Sequence, residues 1–123
     1  MTTATLERTQ TAFRSAYPTC AKTFRAAEDD TPLLNLIGYN ATTRQIGLWS
    51  VAPRGVVSKF AYRSLYFSAA RDLIDGLDDD NSVSITAEPN GIVRFKTEDG
   101  TSLLFSLACV VTGCDGKVPA NKL

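Results

Sequence analysis

The chain of 123 residues has no histidine, the side chain most often used as a general base near neutral pH. That absence excludes Ser-His and Cys-His nucleophile pairs and every histidine-based metal site. The three cysteines, Cys20, Cys109 and Cys114, are an odd number and do not make a disulfide framework. Cys109 and Cys114 could pair in an oxidising setting or supply half of a metal site, and buried or incidental thiols are the plainer reading. Neither a GxxxxGK[ST] phosphate loop nor a GxGxxG turn occurs. No run approaches the roughly 18–20 apolar residues needed to span a bilayer. The N-terminus, Met1-Thr-Thr-Ala-Thr-Leu-Glu-Arg8, lacks the basic patch and apolar core of a secretory signal, so a cytoplasmic location is expected. Net charge is also missing: 13 basic and 13 acidic residues cancel. A strongly electrostatic binder of bare nucleic acid usually has a basic excess, whereas a basic face balanced by an acidic one is compatible with this composition.

What is present is enough apolar material, 44% of residues, for one core in one domain. Leu6, Phe13, Tyr17 and Phe24 are spaced as a helical stripe that Pro18 interrupts, which predicts a helix over 4–16 and a possible second helical stretch over 19–27. Leu33-Leu-Asn-Leu-Ile-Gly-Tyr39, Gln45-Ile-Gly-Leu-Trp-Ser-Val51 and Val56-Val-Ser-Lys-Phe-Ala-Tyr62 have strand composition, with turn residues between them. A helix then follows Ser68, whose hydroxyl is a candidate N-cap, with Leu73, Ile74 and Leu77 on its apolar face. Asp78-Asp-Asp-Asn81 ends it. Val83 and Ile85 alternate with Ser82, Ser84 and Thr86, and Ile92, Arg94 and Lys96 alternate with Val93 and Phe95, the half-buried strand pattern. Pro89-Asn-Gly91 and Glu98-Asp-Gly100 supply turns, and residues 101–111 are the longest strand candidate. The expectation is an α+β domain over 1–111 with two helices packed on an antiparallel sheet of about seven strands, and a flexible tail over 112–123.

Three segments carry a family resemblance. Phe67-Ser-Ala-Ala-Arg-Asp-Leu-Ile74 looks like the entry to a second helix, Leu77-Asp-Asp-Asp-Asn-Ser-Val83 like its acidic exit, and Phe105-Ser-Leu107 like a strand ending. Together with Thr31-Pro-Leu-Leu-Asn-Leu-Ile-Gly-Tyr39, this order resembles one domain of a bacterial DNA sliding clamp of the polymerase III beta-subunit type. The resemblance spans roughly residues 5–110 and implies a clamp-like fold with helices lining a ring. It implies no catalytic residues, because sliding clamps act by topology and by presenting peptide-binding pockets. A beta-type subunit carries three such domains, whereas this chain has one.

The candidate DNA contacts are Arg14, Lys22 and Arg25, which on one continuous helix would fall within about 80° of each other. Arg71 joins them if both helices line a common face. Such residues contact phosphates without reading sequence, and the plain alternative is solvated helix charge. Tyr39 and Trp49 are candidates for a partner-binding surface, with a core role as the alternative. Asp78, Asp79 and Asp80 have no EF-hand spacing and read as a solvated helix exit rather than a cation site. No cofactor or metal is expected. The expected function is a non-enzymatic, clamp-like scaffold that forms a homo-oligomer through the two ends of its sheet, with double-stranded DNA or replication and repair proteins as candidate partners and no membrane contact. The alternative is a small regulatory or accessory module that binds a protein or small ligand without DNA.

Overall fold

Two apolar alternations, offset by one residue, run through the strands at 34–40 and 45–51, and the fold follows from burying both. The computed structural model describes residues 3–27, 32–64, 66–78, 82–107 and 117–119. In chain order these form α1 (Thr3–Ala16), β1 (Cys20–Thr23), β2 (Arg25–Ala26), β3 (Leu34–Asn40), β4 (Gln45–Val51), β5 (Val56–Arg63), α2 (Phe67–Asp75), β6 (Ser82–Glu88), β7 (Ile92–Thr97), β8 (Ser102–Leu107) and β9 (Lys117–Pro119), with a 3-10 turn at Pro89–Gly91. The strands join in one sheet ordered β1-β3-β4-β5-β8-β7-β6-β2, with β9 alongside β5. Pairing is antiparallel except between β2 and β6, where Arg25 lies beside Ser82 and Ala26 beside Val83. The α+β class and the two helices agree with the sequence reading.

The first and last strands of that order, β1 and β2, are separated only by Phe24. The sheet therefore rolls up, and its ends meet at one seam. Inside the roll, Phe24, Ile37, Ile46, Tyr62, Val83, Phe95 and Phe105 form one continuous core with Ala70, Leu73 and Ile74 of α2. Phe24 and Phe95 meet edge to face at 6.2 Å across the seam side, a favoured aromatic geometry.

The second alternation points outward. Leu36 is paired with Trp49 and Leu34 with Val51, opposite in phase to Ile37 with Leu48 and Tyr39 with Ile46. Phe13 of α1 and Tyr17, just past its last residue, cover Leu36, Trp49, Val51 and Val57 on this outer side. Thus α1 and α2 pack on opposite faces of β3 and β4, and those strands are buried on both sides. Gly38 and Gly47, paired in register, let α1 approach: a Cβ at Gly38 would meet the Cys20 carbonyl and Phe13, and one at Gly47 would meet the Tyr17 ring.

Several expectations are corrected. The stretch 19–27 is β1 and β2 rather than helix. After Pro18 the chain must leave the helical path, and Cys20–Thr23 finds its backbone partners on β3. Phe24 belongs to the inner core rather than to the stripe of α1. Ser68 lies inside α2, whose N-cap is Tyr66, without a side-chain capping bond. Of the segment 112–123 expected as a flexible tail, only 117–119 are among the described residues, as β9 with Val118 opposite Val57; the rest lies outside them. Among the described residues the two ends of the strand order, β1 and β2, converge at Phe24 instead of lying at opposite sides of the domain. Residues 108–111 of the long strand candidate, the Asp79–Asp80 pair, Cys109 and Cys114 lie outside the described residues.

Candidate nucleic-acid interface

The same alternation that builds the inner core builds a polar outer face on β6, β7 and β8. Val83, Val93, Phe95 and Phe105 turn inward, so Ser82, Ser84 and Thr86, Arg94 and Lys96, and Ser102, Leu104 and Ser106 turn outward. Register sets the neighbours: Arg94 lies between Thr86 and Leu104, and Lys96 between Ser84 and Ser102. At one side of this face, Arg63 of β5 is opposite Ser106. At the other, Arg25 of β2 reaches the Ser82 hydroxyl, Nε to Oγ 3.4 Å. Four cations and a row of hydroxyls thus occupy a face that spans β5, β8, β7, β6 and β2, roughly 19 Å along the sheet at about 4.8 Å per strand. Its described carboxylate is Glu88, held by Arg94 Nε at 3.0 Å, and Arg94 also points Nη1 at the Ser102 hydroxyl at 3.4 Å. A guanidinium has further donors beyond these.

The four residues singled out from the sequence are not brought together. Arg14 is exposed on the last turn of α1, with Nη2 3.3 Å from Gln10 Oε1. Lys22 and Arg25 are three residues apart in strand geometry and face opposite sides of the sheet: Lys22 turns inward, where its Nζ donates to the Leu77 carbonyl at 3.1 Å and the Asp75 carbonyl at 3.4 Å. Arg71 is on α2, with Nε 3.9 Å from Asp72. The shared helix face for Arg14, Lys22 and Arg25 is therefore corrected to three separate placements, of which Arg25 alone lies on the polar sheet face. The sequence reading did not single out Arg63, Arg94 and Lys96, which share that face with Arg25. The usable signal was that the serines and threonines of 82–86 and 102–106 share a phase with Arg94 and Lys96.

Tyr39 and Trp49 do not form a common surface either. Both are buried, on opposite sides of the sheet. Trp49 packs edge to face on Phe13 at 5.1 Å, and Lys59 Nζ sits 4.5 Å over its ring, a cation–π contact. Tyr39 belongs to a polar cluster at the C-terminal end of α2. Its hydroxyl donates to Asp75 Oδ1 at 2.8 Å, and its ring meets Phe67 edge to face. Burial, followed by the neighbouring Asp75 carboxylate, pushes the Tyr39 phenol up to about 12. The same two causes raise the Cys20 thiol, so it stays protonated and is a poor nucleophile. With Lys22 on the carbonyls of Asp75, the last residue of α2, and of Leu77 just beyond it, this cluster fastens the helix end into the roll.

The described residues contain no group of three or more metal-ligating side chains, and no described helix is long and apolar enough to cross a membrane. No protein-family model matches this chain, and no curated protein or solved structure matches it.

Proposed function

We propose that this protein is a non-enzymatic module that contacts the phosphate backbone of double-stranded DNA through the outer face of β6, β7 and β8. The observation that carries the proposal is the in-phase placement of Arg25, Arg63, Arg94 and Lys96 among serine and threonine hydroxyls on one uncovered face. Arginine, lysine and hydroxyl side chains are the groups that hold phosphate oxygens. Among the described residues this face presents no aromatic ring, so it has no platform for stacking unpaired bases. The clamp-like resemblance supports a DNA-associated role, with contact by the sheet in place of helices lining a ring. A roll whose sheet ends meet gives that role to a single domain that docks on the duplex from one side.

Fluorescence anisotropy with a random-sequence duplex at several salt concentrations tests this. Binding is expected to be weak and to fall with salt with a log–log slope of about −3, for three to four phosphate contacts. Arg94→Glu with Lys96→Glu should weaken binding and reduce the slope by about 2, whereas Arg14→Glu, on α1, should leave it unchanged. Equal binding by the wild type and the double variant refutes the proposal. The second reading, a module that binds a protein without DNA, is favoured by an acidic groove on the other side of the same hairpin.

A further inference from the structure

The groove lies between α2 and the turn that joins β7 to β8, has a volume of about 520 Å³, and is lined by the apolar side chains of Ala69, Leu73 and Leu77 and by the carboxylates of Asp72, Glu98 and Asp99. Its carboxylates are held in place rather than neutralised. Glu98 Oε1 accepts the Ser82 amide at 2.9 Å. Asp99 Oδ1 accepts the Thr101 amide at 3.0 Å and the Thr97 hydroxyl, and these donors keep its carboxyl below its ordinary value. Among the described residues neither Glu98 nor Asp99 has an ion-pair partner, and Asp72 meets Arg71 only at 3.9 Å.

The reverse side of that hairpin has the complementary pattern. Leu104 is 48% exposed and is the large aliphatic side chain at the centre of the outer face, directly opposite Arg94 and one register step from Lys96. An apolar knob with a cationic collar thus sits back to back with an apolar floor that has an anionic rim. The two cannot meet within one molecule, because they are on opposite sides of one β-ribbon.

We infer that a second copy of this chain docks its Leu104 knob, with Arg94 and Lys96, into the groove rimmed by Asp72, Glu98 and Asp99. Such a contact is heterologous, one patch against a different patch, and it leaves a free knob and a free groove on every pair. Copies therefore add head to tail. The zero net charge of the chain removes the overall repulsion that would oppose stacking. This assembly uses the same face as the proposed phosphate contact but does not depend on it, and its test contains no nucleic acid.

The test is light scattering across a concentration series in low and high salt, with two variants at exposed positions. Leu104→Glu removes the knob and keeps the groove; Asp72→Lys spoils the groove and keeps the knob. Expected are a mean mass of wild type that rises with concentration in low salt and returns to one chain in high salt, and variants that remain single chains alone. An equimolar mixture of the two variants should form pairs and nothing larger, because one intact knob and one intact groove remain between them. A wild type that stays monomeric throughout overturns the inference, as does a variant that assembles like wild type or a mixture that fails to pair. Circular dichroism of each variant confirms that the fold is retained.

Discussion

Replacing Gly47 by alanine tests whether α1 is positioned by a glycine window in the sheet. A Cβ at Gly47 falls onto the Tyr17 ring, 2.7 Å from Cδ2 and closer still to two neighbouring ring atoms. That ring is 7% exposed and packs tilted against Phe13 with centroids 4.9 Å apart, so it cannot slide without disturbing the outer core. Two effects compete. Overpacking of this kind costs about 1–3 kcal/mol, and removing a glycine from a strand returns about 0.5–1 kcal/mol through the unfolded chain. The clash wins in the native background, with an expected loss of about 1–2 kcal/mol. In a Tyr17→Ala background the obstacle is gone, and the same substitution should become neutral or stabilising by up to about 1 kcal/mol. Urea unfolding of the four proteins of this cycle measures the coupling. An unchanged midpoint for Gly47→Ala, or an equal cost in both backgrounds, refutes the reasoning.

Alkaline pH should unfold the protein early. The Tyr39 phenol is raised to about 12 in the folded state, and burial also raises Tyr17 and Tyr62. A raised folded value means that the unfolded chain releases its proton first, so stability is intact below about pH 10 and declines as pH approaches 12. Chemical denaturation at successive pH values checks the slope, which Tyr39→Phe should make shallower. At neutral pH that variant loses one hydrogen bond to a carboxylate and should cost about 1–2 kcal/mol in the same assay. Lys22→Met keeps the aliphatic stem and removes the ammonium from the Leu77 and Asp75 carbonyls; a loss of about 0.5–1 kcal/mol is expected, read as a shift of thermal midpoint.

Much of the fold was legible because burial on one side leaves a period. The strands at 45–51, 56–62 and 82–86 and the helices at 4–16 and 67–75 all show it. What the sequence hid arises where period and partner disagree. Phe24 continues the spacing of Leu6, Phe13 and Tyr17, yet Pro18 breaks the helix and the backbone of 20–23 pairs with β3; side-chain spacing carries no information about that pairing. Trp49 and Tyr39 looked alike as aromatic strand residues, but neighbouring positions in a strand face opposite sides, and their parity sends them to different cores. The common helix face expected for Lys22 and Arg25 is lost for the same reason, since they are three positions apart and three is odd in a strand.

Charge carried the least legible message. A total of zero argues against polyanion binding only if the charges are mixed, and here the hairpin of β7 and β8 sorts them. Arg94 and Lys96 lie on its outer side, while Glu98 and Asp99 lie in its turn, beside Asp72 of α2. The sorting follows from the strand period: once Val93 and Phe95 are committed to the core, Arg94 and Lys96 must share the other face, and the turn residues are free of that constraint. Attraction toward a phosphate then depends on the local field within about one Debye length, about 8 Å at physiological salt, rather than on the total charge of the chain. A variant that changes net charge without touching either patch, such as Arg44→Gln in the β3–β4 turn, should therefore leave duplex affinity nearly unaltered, whereas Lys96→Gln, with the same change in net charge, should lower it several-fold in low salt. Equal effects in the anisotropy titration would mean that the overall charge governs binding and that the polar sheet face is only solvated surface.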